Sequence, residues 1–206
     1  MKKVLLTAVI ASMLIVPLGN TALAGQEEDT SSTVQEEFIP GNAPASAGAA
    51  EAMLPAIHGA ALAMLNRDAG SFDLDDGELA WEGLYNMLSL YGQLDSRCDP
   101  CSGELVLPEE TVWDYAAALG IQPDRLPPLP DSLRDRIGYD SADYCYRLIC
   151  GDAGLAQLQI DGLQSAGGQL FLDCSLVDDE VLARFQVTLQ PRNSMFGFAL
   201  STLTQV

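Results

Sequence analysis

Beyond position 3 this chain has no lysine: Lys2 and Lys3 are the only two, and every later cation is an arginine. Arg67, Arg97, Arg125, Arg134, Arg136, Arg147, Arg184 and Arg192 stand against 29 acidic side chains, so residues after the opening lysines carry a formal charge of −21. A polyanion with so few cations cannot displace phosphate counterions and is repelled by anionic lipid, which excludes nucleic acid as a partner. The acidity itself requires no role beyond solubility. Histidine is almost missing as well. His58 is the single one, so zinc cages of several imidazoles, HExxH metalloprotease chemistry and haem ligation by two histidines are excluded by count. It stands among Ile57, Gly59, Ala60 and Ala61, a setting that suits a packing histidine better than a general base.

Long apolar runs are confined to the start. Met1-Lys2-Lys3, the apolar stretch Val4 to Leu18 and the small-residue site Ala22-Leu23-Ala24 make a basic n-region, an h-region and an Ala-x-Ala cleavage signal. Residues 1–24 are therefore expected to be a signal peptide cleaved after Ala24, and the protein to be secreted or extracytoplasmic. No later segment approaches the roughly 20 apolar residues of a membrane span, so none is expected after cleavage. Residues 25–48, rich in Gln, Glu, Ser, Thr, Ala and Pro, have Val34, Phe38 and Ile39 as their large apolar side chains and read as a disordered acidic tether. Residues 49–206 are long enough for one folded domain.

Within that domain the first half has helical periodicity. Met53, Ile57, Ala60, Ala61 and Met64 predict a helix over 49–67, weakened early by Pro55 and Gly59. Asp75 as cap, with Glu78 three residues on, starts a second over 77–92, whose stripe is Trp81, Leu84, Tyr85, Leu88 and Tyr91. That spacing makes the aromatics core residues rather than a cofactor box. A third, over 108–119, begins with Pro108 as first helical residue. Residues 121–132, IQPDRLPPLPDS, have too many prolines for helix and predict an extended strap over a core edge. At the flanking specificity positions, where an SH3 ligand requires a basic residue, its Leu126-Pro127-Pro128-Leu129-Pro130 core has Asp124 and Ser132.

The period then changes to two, giving strands over 143–149, 154–161, 169–177, 181–190 and 195–204, joined too closely for parallel crossovers. The fold class is α+β, with N-terminal helices packed on one face of a C-terminal antiparallel β-meander of four to five strands. In element order, residues 49–206 resemble the cone-like domains of the nuclear transport factor 2 and cystatin type. The segments Arg125–Leu133 (RLPPLPDSL) and Pro191–Thr202 (PRNSMFGFALST), after the acidic tether, resemble those of uncharacterised exported proteins of Gram-positive anaerobes. That resemblance implies export and brings no activity with it.

Cysteine is the residue type that export makes interpretable. Cys98, Cys101, Cys145 and Cys150 are disulfide candidates, and an odd total of five leaves at least one thiol unpaired. Cys174, among Leu170, Leu172 and Leu176, is the candidate for a buried free thiol. The Cys98-x-x-Cys101 pair follows a helix and enters a loop, unlike a thioredoxin-type pair at a helix N-terminus. A zinc cage with Cys145 and Cys150 is disfavoured because an odd offset along a strand points them apart, roughly 17 Å along its length.

Ser71 to Glu82 imitates a calcium loop with Asp73, Asp75 and Glu82 as ligands, but it lacks a carboxylate at its first position and Gly at its sixth. Capping by Asp75 explains these acids more simply. Gly162 to Gly167 imitates a nucleophile elbow around Ser165, but with a displaced first glycine and inside a predicted hairpin. With no catalytic, cofactor or resident-metal signature, the expected function is a non-enzymatic module of the cell envelope or extracellular space, binding a small molecule, peptide or envelope protein. The alternative is an extracellular hydrolase using Asp or Glu residues in a cleft.

Overall fold

Pro55 divides the first predicted helix. Without an N–H it cannot continue the ladder from the preceding turn, and the chain forms α1, Ala43–Ala52, and α2, Leu54–Arg67, meeting at Met53. This computed structural model describes residues 43–101, 104–151 and 154–206. The signal-peptide segment lies outside the described residues, as does the tether except for its last part, where α1 reaches back to Ala43. Helix α2 buries every residue from Ala56 to Met64. Among the described residues no single helix is long and apolar enough to cross a membrane. The α1–α2 pair reaches that length only across a bend of 49°.

Helix α3, Gly77–Tyr91, starts where the sequence places it. The cap is Asp76, not Asp75: its Oδ1 accepts from the N–H groups of Glu78 at 3.0 Å and Leu79 at 3.1 Å. Such a cap stabilises a helix by about 1 kcal/mol. The Asp75 N–H is already taken by Asp73 Oδ1 at 2.9 Å, in a turn that leads into the cap. Helix α4, Glu109–Ala118, likewise begins after Pro108, which serves as cap rather than first helical residue. The strap that follows runs extended between two 3-10 turns. Leu126 and Leu129 pack on the core, and the Pro127 carbonyl accepts from Trp81 Nε1 at 2.7 Å.

The strands form two antiparallel sheets. β5 (Gln157–Ala166), β6 (Gln169–Asp178), β7 (Glu180–Pro191) and β8 (Phe198–Gln205) make a four-stranded meander in sequence order. β5 and β6 turn through Gly167 and Gly168, both with positive φ, the two-residue geometry that suits strand twist. Alternation assigns the faces. Leu170, Leu172, Cys174 and Leu176 of β6 and Ala183, Phe185, Val187 and Leu189 of β7 are buried, whereas Phe171, Asp173, Arg184 and Gln186 are exposed.

The strand predicted over 143–149 belongs elsewhere. As β4, Cys145–Ile149, it lies in a second sheet ordered β1-β2-β4-β3, with β1 (Asp99–Cys101), β2 (Glu104–Pro108) and β3 (Ile137–Asp140). Tyr144, expected to share the face of Tyr146 and Leu148, is instead exposed at a left-handed turn with φ of 50°. β1 and β3, of three and four residues, are too short to show a period, while β2 ends in Pro108, which reads from the sequence as a helix start.

The layers meet on α2 and α3. α2 packs against α3 and against β5, β7 and β8, while α3 also meets β4. Trp81 of α3 lies 6.3 Å from Tyr146 of β4, which in turn lies 4.8 Å from Tyr139 of β3, so an aromatic row ties α3 to the second sheet. The two helices touch backbone to backbone. A Cβ on Gly59 would stand 2.6 Å from the Gly83 carbonyl oxygen and 2.8 Å from Met87 Cβ.

Adding that one carbon forces the helices apart. Gly59→Ala is expected to lower stability by about 1–3 kcal/mol despite its gain in helix propensity. The measurement is the urea midpoint of unfolding; an unchanged or higher midpoint contradicts the close approach.

Candidate functional site

Next to its apolar stripe, α3 carries a polar one. Glu82, Asn86 and Ser89 follow at intervals of four and three residues, so they share one helix face. Asn66 of α2 lies across from Glu82 and donates Nδ2–H to its Oε1 at 3.1 Å. Together with Leu62, Tyr85, Arg136, Gly151 and Gly154 these residues line a cavity of about 240 Å³. Its walls are α2 and α3. Arg136 from the entry to β3, and the glycines that follow β4, complete the lining.

Two of its polar side chains belong to the interior. Tyr85 is 4% and Asn86 7% exposed. The Tyr85 hydroxyl donates to the Ile149 carbonyl at 2.7 Å, and Asn86 Nδ2 donates to the Gly59 carbonyl at 3.4 Å. The latter contact is long. Ser89 Oγ is buried and has no hydrogen-bond partner, in a class of group whose burial without a bond costs about 1–3 kcal/mol. An open hydroxyl beside a polar cavity is an available contact for a ligand or water.

Charge is placed at two points of the lining. Glu82 receives Arg67 at 3.5 Å, whereas Arg67 pairs more closely with Glu78 at 2.6 Å. Arg136 lies over the Tyr85 ring, its guanidinium carbon 5.6 Å from the centroid, an arrangement favourable by about 0.5–1 kcal/mol at an exposed site. Among the described residues Arg136 forms no salt bridge with a carboxylate.

Three other cavities compare with it. A groove of about 410 Å³ is lined by Pro55, Tyr91, Leu94, Tyr115 and Met195, with Asp95 and Arg97 at its edge. There Arg97 is held by Asp95 at 2.9 Å and Asp114 at 2.8 Å. The hydrogen bond from Arg97 draws the Asp95 pKa below its ordinary value, so these charges satisfy one another. A cavity of about 340 Å³ lies on the exposed face of the meander, among Gln164, Phe171, Asp173, Gln186 and Thr202. A shallow one of about 320 Å³ lies at Tyr139 and Asp140. Each of the four is lined by one carboxylate among the described residues, whereas glycoside hydrolysis needs a facing pair.

The residues singled out in the sequence are dispersed. Asp73 serves the turn before α3, Asp75 donates its N–H to it, and Glu82 faces Asn66 and Arg67. These calcium candidates do not converge, and no group of three or more His, Cys, Asp or Glu side chains among the described residues is placed to hold a metal. Cys98, Cys145, Cys150 and Cys174 are free thiols here, so none of the disulfide candidates among them is bridged; the Cys101 side chain lies outside the described residues. Cys145 is buried and Cys150 exposed. Burial raises the pKa of the Cys98 thiol, and Asp95 and Asp99 add to it, the reverse of an activated thiolate. Cys98 directly precedes β1 and Cys101 ends it, so neither stands at a helix N-terminus. Cys174 is 1% exposed, and burial, reinforced by Asp161 and Asp173, pushes it up to about 12. Ser165 is an exposed residue of the β5–β6 hairpin, opposite Leu170.

The cavity residues were the ones sequence reasoning passed over. Glu82 was weighed only for calcium, Tyr85 only for packing, and Asn66, Asn86, Ser89 and Arg136 had no assignment. A signal existed in the 82–86–89 polar stripe beside an apolar one. It indicates a helix with two covered faces rather than one.

His58 stands apart from this cavity. It is 5% exposed, with Nδ1 2.7 Å from the Tyr91 hydroxyl and Nε2 buried without a partner. Burial lowers its pKa from the ordinary 6.5, with an opposing contact to the Ala156 backbone that falls short of a hydrogen bond in geometry. The folded pKa lies below the unfolded one, so the unfolded chain binds the proton more readily. Its contribution to stability is therefore full above pH 6.5 and is lost as pH falls toward the lowered value. Urea titrations of the protein and of His58→Phe between about pH 5 and 8 are expected to show a shallower pH slope in the variant; equal slopes contradict the assignment.

Comparison of the chain with models of protein families, with curated proteins and with solved structures finds no match in any of the three.

Proposed function

We propose that this protein is exported and acts as a non-enzymatic binding module of the cell envelope or extracellular space, holding a small polar molecule between α2 and α3. The observation that carries the reading is the 240 Å³ cavity itself, where buried Tyr85 and Asn86 flank a Ser89 hydroxyl with no partner. Concave sites at element junctions, with a few oriented polar groups, are where small ligands bind. Export rests on the Lys2-Lys3, Val4–Leu18 and Ala22-Leu23-Ala24 pattern. A hydrolase would draw on paired carboxylates, and no described cavity supplies such a pair.

An exported chain meets an oxidising compartment. One disulfide is expected there among Cys98, Cys101, Cys145 and Cys150, the candidates the sequence offers. An external disulfide oxidant would take the two electrons and two protons as the S–S bond forms. Intact-mass analysis of protein recovered outside its cells is expected to give a chain beginning at Gly25 that gains two hydrogens on reduction. Recovery from inside the cell, with Met1, Lys2 and Lys3 attached, contradicts export.

The binding site is tested with 15N-labelled protein titrated with pooled amino acids and pooled monosaccharides. The side-chain amides of Asn66 and Asn86 are expected to shift together while those of Gln164 and Gln186, on the meander face, stay in place. Shifts confined to the glutamines would move the site to the meander.

A further inference from the structure

We propose that the α2–α3 cavity selects a small zwitterion with the charges and size of a free α-amino acid, its carboxylate received by Arg136 and its ammonium by Glu82. This rests on the cavity being the binding site and adds the class of ligand. The first observation is that the lining holds one charge of each sign that do not pair with each other: Glu82 meets Arg67, and Arg136 rests on Tyr85. Among the described residues Arg136 rests on an aromatic ring and pairs with no carboxylate, so its donor fork at the cavity edge is open for an anionic group.

The second observation is that the Glu82 end stays negative. Arg67 is shared between Glu78 and Glu82, and its shorter contact is to Glu78, so two carboxylates share one guanidinium. The Glu82 side chain is only 18% exposed, which screens a ligand's ammonium there less than an open surface would. Between the charged ends the lining offers neutral groups, the Asn86 amide and the Ser89 hydroxyl.

Long-range charge decides among ligand classes. The acid excess, a formal charge of −21 beyond the two opening lysines, opposes the approach of a free anion, while Arg136 opposes a cation once it arrives. A zwitterion has no net charge to be repelled and satisfies both ends. Size narrows it further: about 240 Å³ is below the roughly 300–1,000 Å³ of sites for drug-sized ligands, leaving room for an amino acid and not for a peptide.

The test titrates the protein with each free proteinogenic amino acid, following the Asn66 and Asn86 side-chain amides, and then repeats the binders with the amine acetylated or the carboxylate amidated. Saturable binding of at least one free amino acid is expected, weakened about tenfold or more by blocking either end, the loss of one charge-assisted hydrogen bond. Arg136→Gln and Glu82→Gln are expected to weaken it similarly. Glu82→Gln keeps the side-chain length and Arg136→Gln keeps a polar stem, and an unchanged circular dichroism spectrum and urea midpoint show that the variants fold. Blocked forms binding as well as free ones would overturn the zwitterion and leave the cavity as a site. So would monosaccharides moving the same amides when no amino acid does. If neither panel moves them, the cavity reading and the zwitterion fall together.

Discussion

The close contact of α2 and α3 at Gly59 and Gly83 is the constraint from which the other placements follow. Where two helices meet without side chains between them, the distance between their axes is set by backbone atoms and cannot relax by a change of rotamer. That fixes which residues on either side of the crossing face each other. Asn86 reaches the Gly59 carbonyl because it lies one turn from Gly83, and Glu82 reaches Asn66 because the helices remain together further along. A wider spacing would leave the same polar residues exposed to water, with no cavity between them.

Helix α3 carries more of the architecture than its length suggests, because it is covered on several sides. Its small and apolar residues face α2, Trp81 reaches the strap and the aromatic row of the second sheet, and Tyr85 reaches the end of β4. A helix covered this way buries some of its polar residues by necessity. The structure meets most of that cost with hydrogen bonds to main-chain carbonyls of other elements, at Gly59, Pro127 and Ile149. Ser89 is the group left over, and it lies where the chain leaves space. Elsewhere some polar groups close on themselves, Arg97 with Asp95 and Asp114, and Ser175 with Asp161, whose bulge in β5 turns the carboxylate toward the serine hydroxyl at 2.5 Å, while His58 Nε2 and the Thr111 and Ser194 hydroxyls, like that of Ser89, are buried without a partner.

Local patterns of sufficient length were legible. The stripe from Met53 to Met64, the Trp81–Tyr91 stripe, the strap and the four strands of the meander could all be read, because burial imposes a period of 3.6 or 2 over enough residues to show. Two of the boundary errors share a cause. Asp76 rather than Asp75 caps α3, and Pro108 caps α4 instead of starting it, since several adjacent residues of suitable type compete and the winner depends on how the preceding turn closes. Strands β1 and β3 carry too few residues for a period, β2 ends in the Pro108 that reads as a helix start, and β4, which did show a period, pairs with a sheet whose other members were not read.

What the order of residues determined alone was the helical and extended segments, the one-sided face of the meander, the acid excess and the exclusion of histidine-based chemistry. Each is local or a matter of count. Tertiary structure alone decided that Glu82 meets Asn66 of another helix, that Arg136 lies on Tyr85 from a position 51 residues further along the chain, and that Cys145 is buried while Cys150 is exposed. The reason is physical: a cavity exists where elements distant in sequence fail to fill the space between them, and no single segment contains that distance.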